Sequence, residues 1–131
     1  MKVFEPLPPD TEHLAKVVVD AAYKVHTSLG PGLLESVYEV CLLHELGKRE
    51  IPAERQVKIP VLYDGIRLED GLRIDLLVNR KLILEVKAVE QMNRIYKAQV
   101  LTYLKLTGLR LGLLINFNVA LIKNGIERII L

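Results

Sequence analysis

Apolar side chains recur along this chain at two periods, and the change from one to the other separates helical from extended stretches. Leu14, Val17, Val18, Ala21, Ala22, Val25 and Leu29 follow one another at helical spacing. They predict an amphipathic helix opened by Asp10 as N-cap and ended by Gly30-Pro31-Gly32. Residues 1–9 are proline-rich and read as an extended lead-in. A second helix is predicted from Leu33 to Leu46, with apolar positions Leu33, Leu34, Val37, Val40, Cys41, Leu43 and Leu46 and with Gly47 as C-cap. The period then shortens. Residues 54–63, ERQVKIPVLY, alternate polar and apolar and predict a strand with Pro60 at an edge or a bulge. Asp64-Gly65 is a hairpin signal, Ile66–Leu68 begins the return, and Asp70-Gly71 allows a break or bulge.

Gly71–Glu90, GLRIDLLVNRKLILEVKAVE, reads as two apolar strands folded back at Asn79-Arg80-Lys81. A third helix comes next, from Gln91 or Asn93 to Leu106, closed by Gly108. Leu111–Phe117, LGLLINF, is apolar almost throughout, as expected of a strand buried on both faces. Asn124-Gly125 predicts a closing hairpin between Ala120–Lys123 and Ile126–Leu131. Meandering strands before a crossover helix and a buried strand imply an α/β fold with a mixed sheet flanked by helices, in a single domain over residues 1–131.

Charges interrupt the apolar strands, among them Asp75 in the first and Glu85 and Lys87 in the second. Residues two apart on a strand share a face, so Glu85 and Lys87 project together. A hairpin turning about Arg80 sets Asp75 opposite Glu85. Two carboxylates about 4 Å apart repel by roughly 4 kcal/mol at an effective dielectric near 20. One lysine does not neutralise both. A divalent cation does, and magnesium suits a site of one or two carboxylates completed by water. A buried salt bridge with a raised carboxylate pKa is the other outcome, and spacing alone leaves both open.

Composition narrows the function only a little. Half of the residues are hydrophobic, enough for a core; the net charge is +2 and the pI about 8.7, which permits nucleic-acid binding without arguing for it. The one cysteine, Cys41, excludes an intrachain disulfide and sits in an apolar helical run as a small hydrophobe. His26 reads as a surface or dipole-facing residue, and His44 has no partner at metal-ligand spacing. The start lacks the apolar core of a secretory signal, and no run approaches the ~18 residues of a membrane span. A soluble cytoplasmic protein with no membrane partner is the expectation.

Two further pairs share helix faces: Glu35 with Tyr38, and Gln99 with Tyr103. Glu35 also falls in a first helical turn, where the helix dipole favours an acid. Gly32-Leu33-Leu34-Glu35-Ser36-Val37-Tyr38 resembles the signature of the GxxExxY proteins, and the segments around RIDLLV, LEVKAVE and GLRLGLLINF resemble that family in the same order. The resemblance runs from about Leu14 to Leu131. It implies the PD-(D/E)XK nuclease superfamily and a restriction-endonuclease-like αβββαβ core, here with an extra N-terminal helix and a C-terminal hairpin.

The resemblance also implies roles for individual residues. Asp75 takes the first acidic position, Glu85-Val86-Lys87 the E-x-K element, and Glu35 the acid of the first core helix. Gln99 to Tyr103 is similar to the QxxxY element of the RecB and lambda-exonuclease branches. Asp75, Glu85 and the Val86 carbonyl would hold Mg2+ or Mn2+, with Glu35 completing the shell directly or through water. Lys87 would orient the attacking water, and Gln99 and Tyr103 would bind the phosphate. Arg94 and Lys97 would hold a nucleic-acid backbone or form a solvated helix face. The partner would be nucleic acid, DNA or RNA. Two features depart from the pattern: Ile74 stands where a proline is expected before Asp75, and aromatic content is 5% with no tryptophan. The alternative is a catalytically silent module binding nucleic acid or a protein, or a homodimer joined through the LGLLINF strand and the ALIKNGIERIIL hairpin.

Overall fold

Prolines, rather than the predicted aspartate, open the first helix. The computed structural model describes residues 5–131. In it α1 spans Pro9–Leu29, with Pro8 at the cap position. Proline suits this place because the N–H it lacks has no partner in the first turn. Asp10 lies one residue inside, where its carboxylate accepts the Thr11 N–H at 2.9 Å. The lead-in is held by Arg110, which donates to the carbonyls of Glu5 and Pro6 at 2.7 and 3.1 Å; the first four residues of the predicted lead-in lie outside the described residues. The second helix, α2, runs Glu35–Lys48, starting later than predicted and passing through Gly47 to end at Arg49. Its facing also differs from the expected stripe: Tyr38, Glu39, Leu42, Glu45 and Leu46 are buried, whereas Val37 and Val40 are exposed.

Five strands form one sheet in the order β1-β2-β3-β4-β5: β1 Ala53–Tyr63, β2 Ile66–Val78, β3 Leu82–Lys87, β4 Leu111–Asn116 and β5 Ile126–Ile130. Neighbours are antiparallel except β3 and β4, which are parallel because α3, Arg94–Thr107, crosses between them. Asn93 caps α3, accepting the Ile95 N–H at 3.0 Å, and Gly108 closes it in the left-handed region at φ 75°. Helices α1 and α2 bury one face of the sheet, in a core that includes Leu76, Leu84, Val86 and Leu113. Helix α3 buries the other face, over Ile74, Ile83 and Leu114.

Four expectations change here. Ile66–Leu68 and the strand after Gly71 are one continuous strand, with the register shift falling between Ile59 and Val61, at Pro60. A Cβ at Gly71 would run into the Val61 side chain, so only glycine lets β2 pass under the bulge. Ala120–Lys123 is not a strand: Ile122–Gly125 is a 3-10 turn, and the closing strand returns antiparallel onto β4. The intervening loop is drawn to α1 instead, where the His26 imidazole bonds the Val119 carbonyl at 2.8 Å. His26 is therefore buried in the core and not a surface residue. Because β4 pairs with both β3 and β5, the LGLLINF strand is no sheet edge and offers no edge for dimerisation. No helix among the described residues is long and apolar enough to cross a membrane.

The Gly71 contact yields a direct check. Gly71→Ala is expected to destabilise the fold by about 1–3 kcal/mol through overpacking against Val61, read as a lower urea midpoint at unchanged slope.

Candidate active site

The site forms where β2 and β3 part. Their ladder pairs Val78 with Leu82, Leu77 with Ile83 and Leu76 with Leu84, then stops. Continued by two residues, it would pair Ile74 with Val86. That rung is missing, and the carboxylates take its place: Asp75 Oδ2 accepts the Val86 N–H at 3.0 Å, and Glu85 Oε1 accepts the Asp75 N–H at 3.2 Å. Further along the same edge, Glu35 Oε1 accepts the Ala88 N–H at 3.2 Å. Each of the three acids thus fastens one oxygen to the backbone. In an extended strand a residue's C=O points to the same edge as its N–H, so the Val86 carbonyl is turned toward the same gap.

These groups line one cleft of about 480 Å³, bordered by Glu35, Asp75, Glu85, Lys87, Gln99 and Tyr103. All six side chains singled out from sequence therefore meet, and the hairpin adds Lys58, Asp70 and Arg73 at the rim. Gln99 Nε2 donates to the Tyr103 hydroxyl at 2.8 Å, which leaves the phenol's own proton free to be given elsewhere. Lys87 extends with its Nζ 4.4 Å from the centre of the Tyr96 ring, a cation–π contact that fixes the ammonium. Lys97 is drawn away from the cleft into an ion pair with Glu127 at 3.2 Å, and neither it nor Arg94 lines the site.

Burial sets the electrostatics. Glu85 is 4% exposed, and its pKa is pushed up to about 8, first by loss of solvent and then by the charge on Asp75, with Lys87 acting the other way. Tyr103 is raised as well, by burial and then by Glu85, so it stays a hydrogen-bond donor. Among the described residues no three His, Cys, Asp or Glu side chains gather closely enough to cage a metal. A cation at this place would therefore rest on the free oxygens of Asp75 and Glu85 and on the Val86 carbonyl, with Glu35 reaching it through water. Such a donor set suits a hard divalent ion that keeps several waters. It also offsets the burial and the neighbouring Asp75 charge that together push the Glu85 pKa up, so the residues fit the group.

Besides the rim residues Lys58, Asp70 and Arg73 and the Tyr96 ring, sequence reasoning missed Glu39 and Gln56. Glu39, one turn beyond Glu35 on α2, is 4% exposed and accepts from Arg55 Nε at 3.1 Å and from Gln56 Nε2 at 2.6 Å. Its pKa is raised by burial. Gln56 Nε2 also reaches Asp75 Oδ1 at 3.4 Å. The four-residue step from Glu35 was a legible signal for Glu39; nothing in the sequence marked Gln56.

The chain matches the family model of the PD-(D/E)XK nuclease superfamily over residues 12–129. It belongs to that superfamily, and the three α-helices and five-stranded mixed sheet of the described residues accord with the restriction-endonuclease-like fold. Nucleases of this superfamily usually use divalent metals. No curated protein and no solved structure matches the chain.

The raised Glu85 pKa carries a signed consequence. Between the ordinary carboxylate range and about 8 the folded state holds a proton that the unfolded chain has released. Stability contributed by this group is present at low pH and is lost as pH rises through that window. Without added metal, the thermal midpoint of the wild type is expected to fall more steeply from pH 5 to pH 8 than that of Glu85→Gln. Parallel curves would show that Glu85 titrates normally.

Proposed function

We propose that this protein is a metal-dependent nuclease that hydrolyses phosphodiester bonds in nucleic acid. The observation that carries the reading is the anchoring of Asp75 and Glu85, each through one oxygen, at a break in the sheet that opens onto a cleft containing Lys87. A bound Mg2+ or Mn2+ would polarise the phosphate and make water a better nucleophile at neutral pH. Asp75, Glu85 and Val86 would hold it. The remaining work falls to the chain's own side chains. Lys87, steadied on Tyr96, faces the cleft beside Glu85 and would orient the attacking water and offset charge on the phosphate as it builds. Tyr103, its oxygen already engaged by Gln99, donates its proton to a phosphate oxygen, and Gln99 keeps the phenol aimed. Lys58 and Arg73 at the rim would take the neighbouring phosphates of the strand.

A second reading is a silent nuclease-fold module that binds a protein or a second copy of itself. Its support is the exposed apolar side of α2 and the loop before it: Leu34, Val37 and Val40 are 74%, 37% and 50% exposed.

Two experiments separate these readings. Calorimetric titration with manganese is expected to show binding that is lost in Asp75→Ala, and a cleavage screen over single- and double-stranded DNA and RNA is expected to find a substrate. Lys87→Ala should reduce cleavage at least a hundredfold while manganese still binds. Equal turnover in Lys87→Ala removes the role assigned to Lys87. Absence of metal binding at millimolar concentration favours the silent module.

A further inference from the structure

Among the described residues, Glu50, Asp64, Asn79 and Arg80 have positive φ and all lie in turns. Gln56, with φ 54°, is the one non-glycine residue in that region inside a strand. The left-handed conformation is costly for an ordinary residue and persists where the surroundings impose it. What it does is visible in the packing. Ala53 sits against the core under α1 and α2, but Val57 packs into the core under α3. Residues four apart on a regular strand share a face, so β1 changes face across Gln56. Strand β2 changes face at the matching place: Ile74 lies in the α3 core and Leu76 in the other. Asp75 lies between them. The β1–β2 ladder pairs Arg55 with Leu76 and Val57 with Ile74 but omits Gln56 and Asp75.

Both strands are therefore distorted around one pair of side chains. The Gln56 amide spends one N–H on Glu39 Oε1 at 2.6 Å and aims the other at Asp75 Oδ1 at a long 3.4 Å. That oxygen is the one the Val86 N–H leaves free. Glu39 is buried, and the same Oε1 also accepts from Arg55 Nε at 3.1 Å. A buried carboxylate and a left-handed strand residue are both costly, and together they place one amide between two acids that would otherwise repel.

Building on the metal-dependent reading above, we propose that Gln56 is a positioning residue that sets the rotation of the Asp75 carboxylate so that Oδ1 meets the cation. Fixed by Glu39, the amide limits Asp75 to a narrow range about the Val86 hydrogen bond. It approaches Oδ1 loosely enough for the oxygen to accept a cation as well. This is the role that groups behind a metal ligand play when they orient it, and losing one typically lowers metal affinity about 10- to 100-fold.

The backbone makes the test clean. Gln56→Gly removes the amide and also relieves the positive φ, so the variant is expected to unfold at the same temperature as the wild type or higher. Its dissociation constant for Mn2+, by calorimetry, is expected to rise about 10-fold or more. An unchanged constant overturns the proposal. A second measurement needs no metal: the Gln56 side-chain amide signals in a nitrogen-15 correlation spectrum of the metal-free protein are expected to move in Asp75→Asn. Signals that stay in place mean the contact is absent, and the proposal falls even if manganese binds. If the signals move but the wild type takes up no manganese, the contact stands, the metal site of the proposed function fails, and the assignment of Gln56 to metal positioning fails with it.

Discussion

The structure turns on a hydrogen-bond ladder that ends early. Backbone N–H groups inside a protein must find acceptors, and once β2 and β3 separate beyond Leu76 and Leu84, those of Val86 and Ala88 have lost the strand that would have supplied them. Asp75 and Glu35 supply acceptors from their side chains. The exchange is what makes the site rigid. A carboxylate tied to the main chain of a central strand cannot wander as one on a loop can, and β3 is held along its whole length by β4, from Leu82↔Leu111 to Lys87↔Asn116. The acids thus inherit the precision of the sheet.

The same arrangement concentrates charge where solvent is scarce. Asp75 and Glu85 adjoin each other, Glu85 is nearly sealed, and one lysine lies within reach of the pair. Metal-free, the protein resolves this by holding a proton on Glu85, whose pKa is pushed up to about 8. A proton and a divalent cation are alternative answers to one electrostatic problem. A core rebuilt only for stability would replace the pair with apolar residues, as buried ionic groups seldom add net stability. Their presence beside the buried leucines, isoleucines and valines where β2 and β3 part supports the proposed ligand site.

Much of this was legible in the sequence, and the parts that were not share a cause. The hairpin about Arg80, the shared face of Glu85 and Lys87 and the pairing of Gln99 with Tyr103 all derive from periods of two and four, which local geometry enforces. Gly108 and Pro60 declared themselves by what each residue type can and cannot do in the backbone. The misread parts depended on partners distant in sequence. Asp10 looked like a cap until prolines at 8 and 9 took the helix start. Val37 and Val40 looked like core, but Tyr38 and Leu42 are the residues turned to the sheet. Asn124-Gly125 had the composition of a hairpin turn, yet the chain before it is occupied with α1 through His26 and Val119. Gln56 is the extreme case: its amide contacts Glu39 and Asp75, 17 and 19 positions away in the chain, and nothing local announces its positive φ.

The helical half of the site shows the same logic from the opposite side of the sheet. Glu35 is the first residue of α2, so its reach depends on where that helix begins. The start is fixed by Tyr38, whose hydroxyl donates to the Gly30 carbonyl at 2.7 Å and accepts the Leu33 N–H at 3.1 Å. One phenol thereby closes the loop whose glycines, at φ 71° and 98°, turn the chain between the helices. The ring lies flat on Phe117, centroids 4.4 Å apart, just after β4. Phe117 is joined through its own N–H to the Lys87 carbonyl at 2.9 Å. A continuous path of contacts thus runs from Tyr38 to the strand that carries Lys87. The spacing Gly32, Glu35, Tyr38 consequently has a mechanical meaning: the glycine makes the turn, the tyrosine locks it to the sheet, and the glutamate between them is delivered to Ala88 at the edge of the cleft.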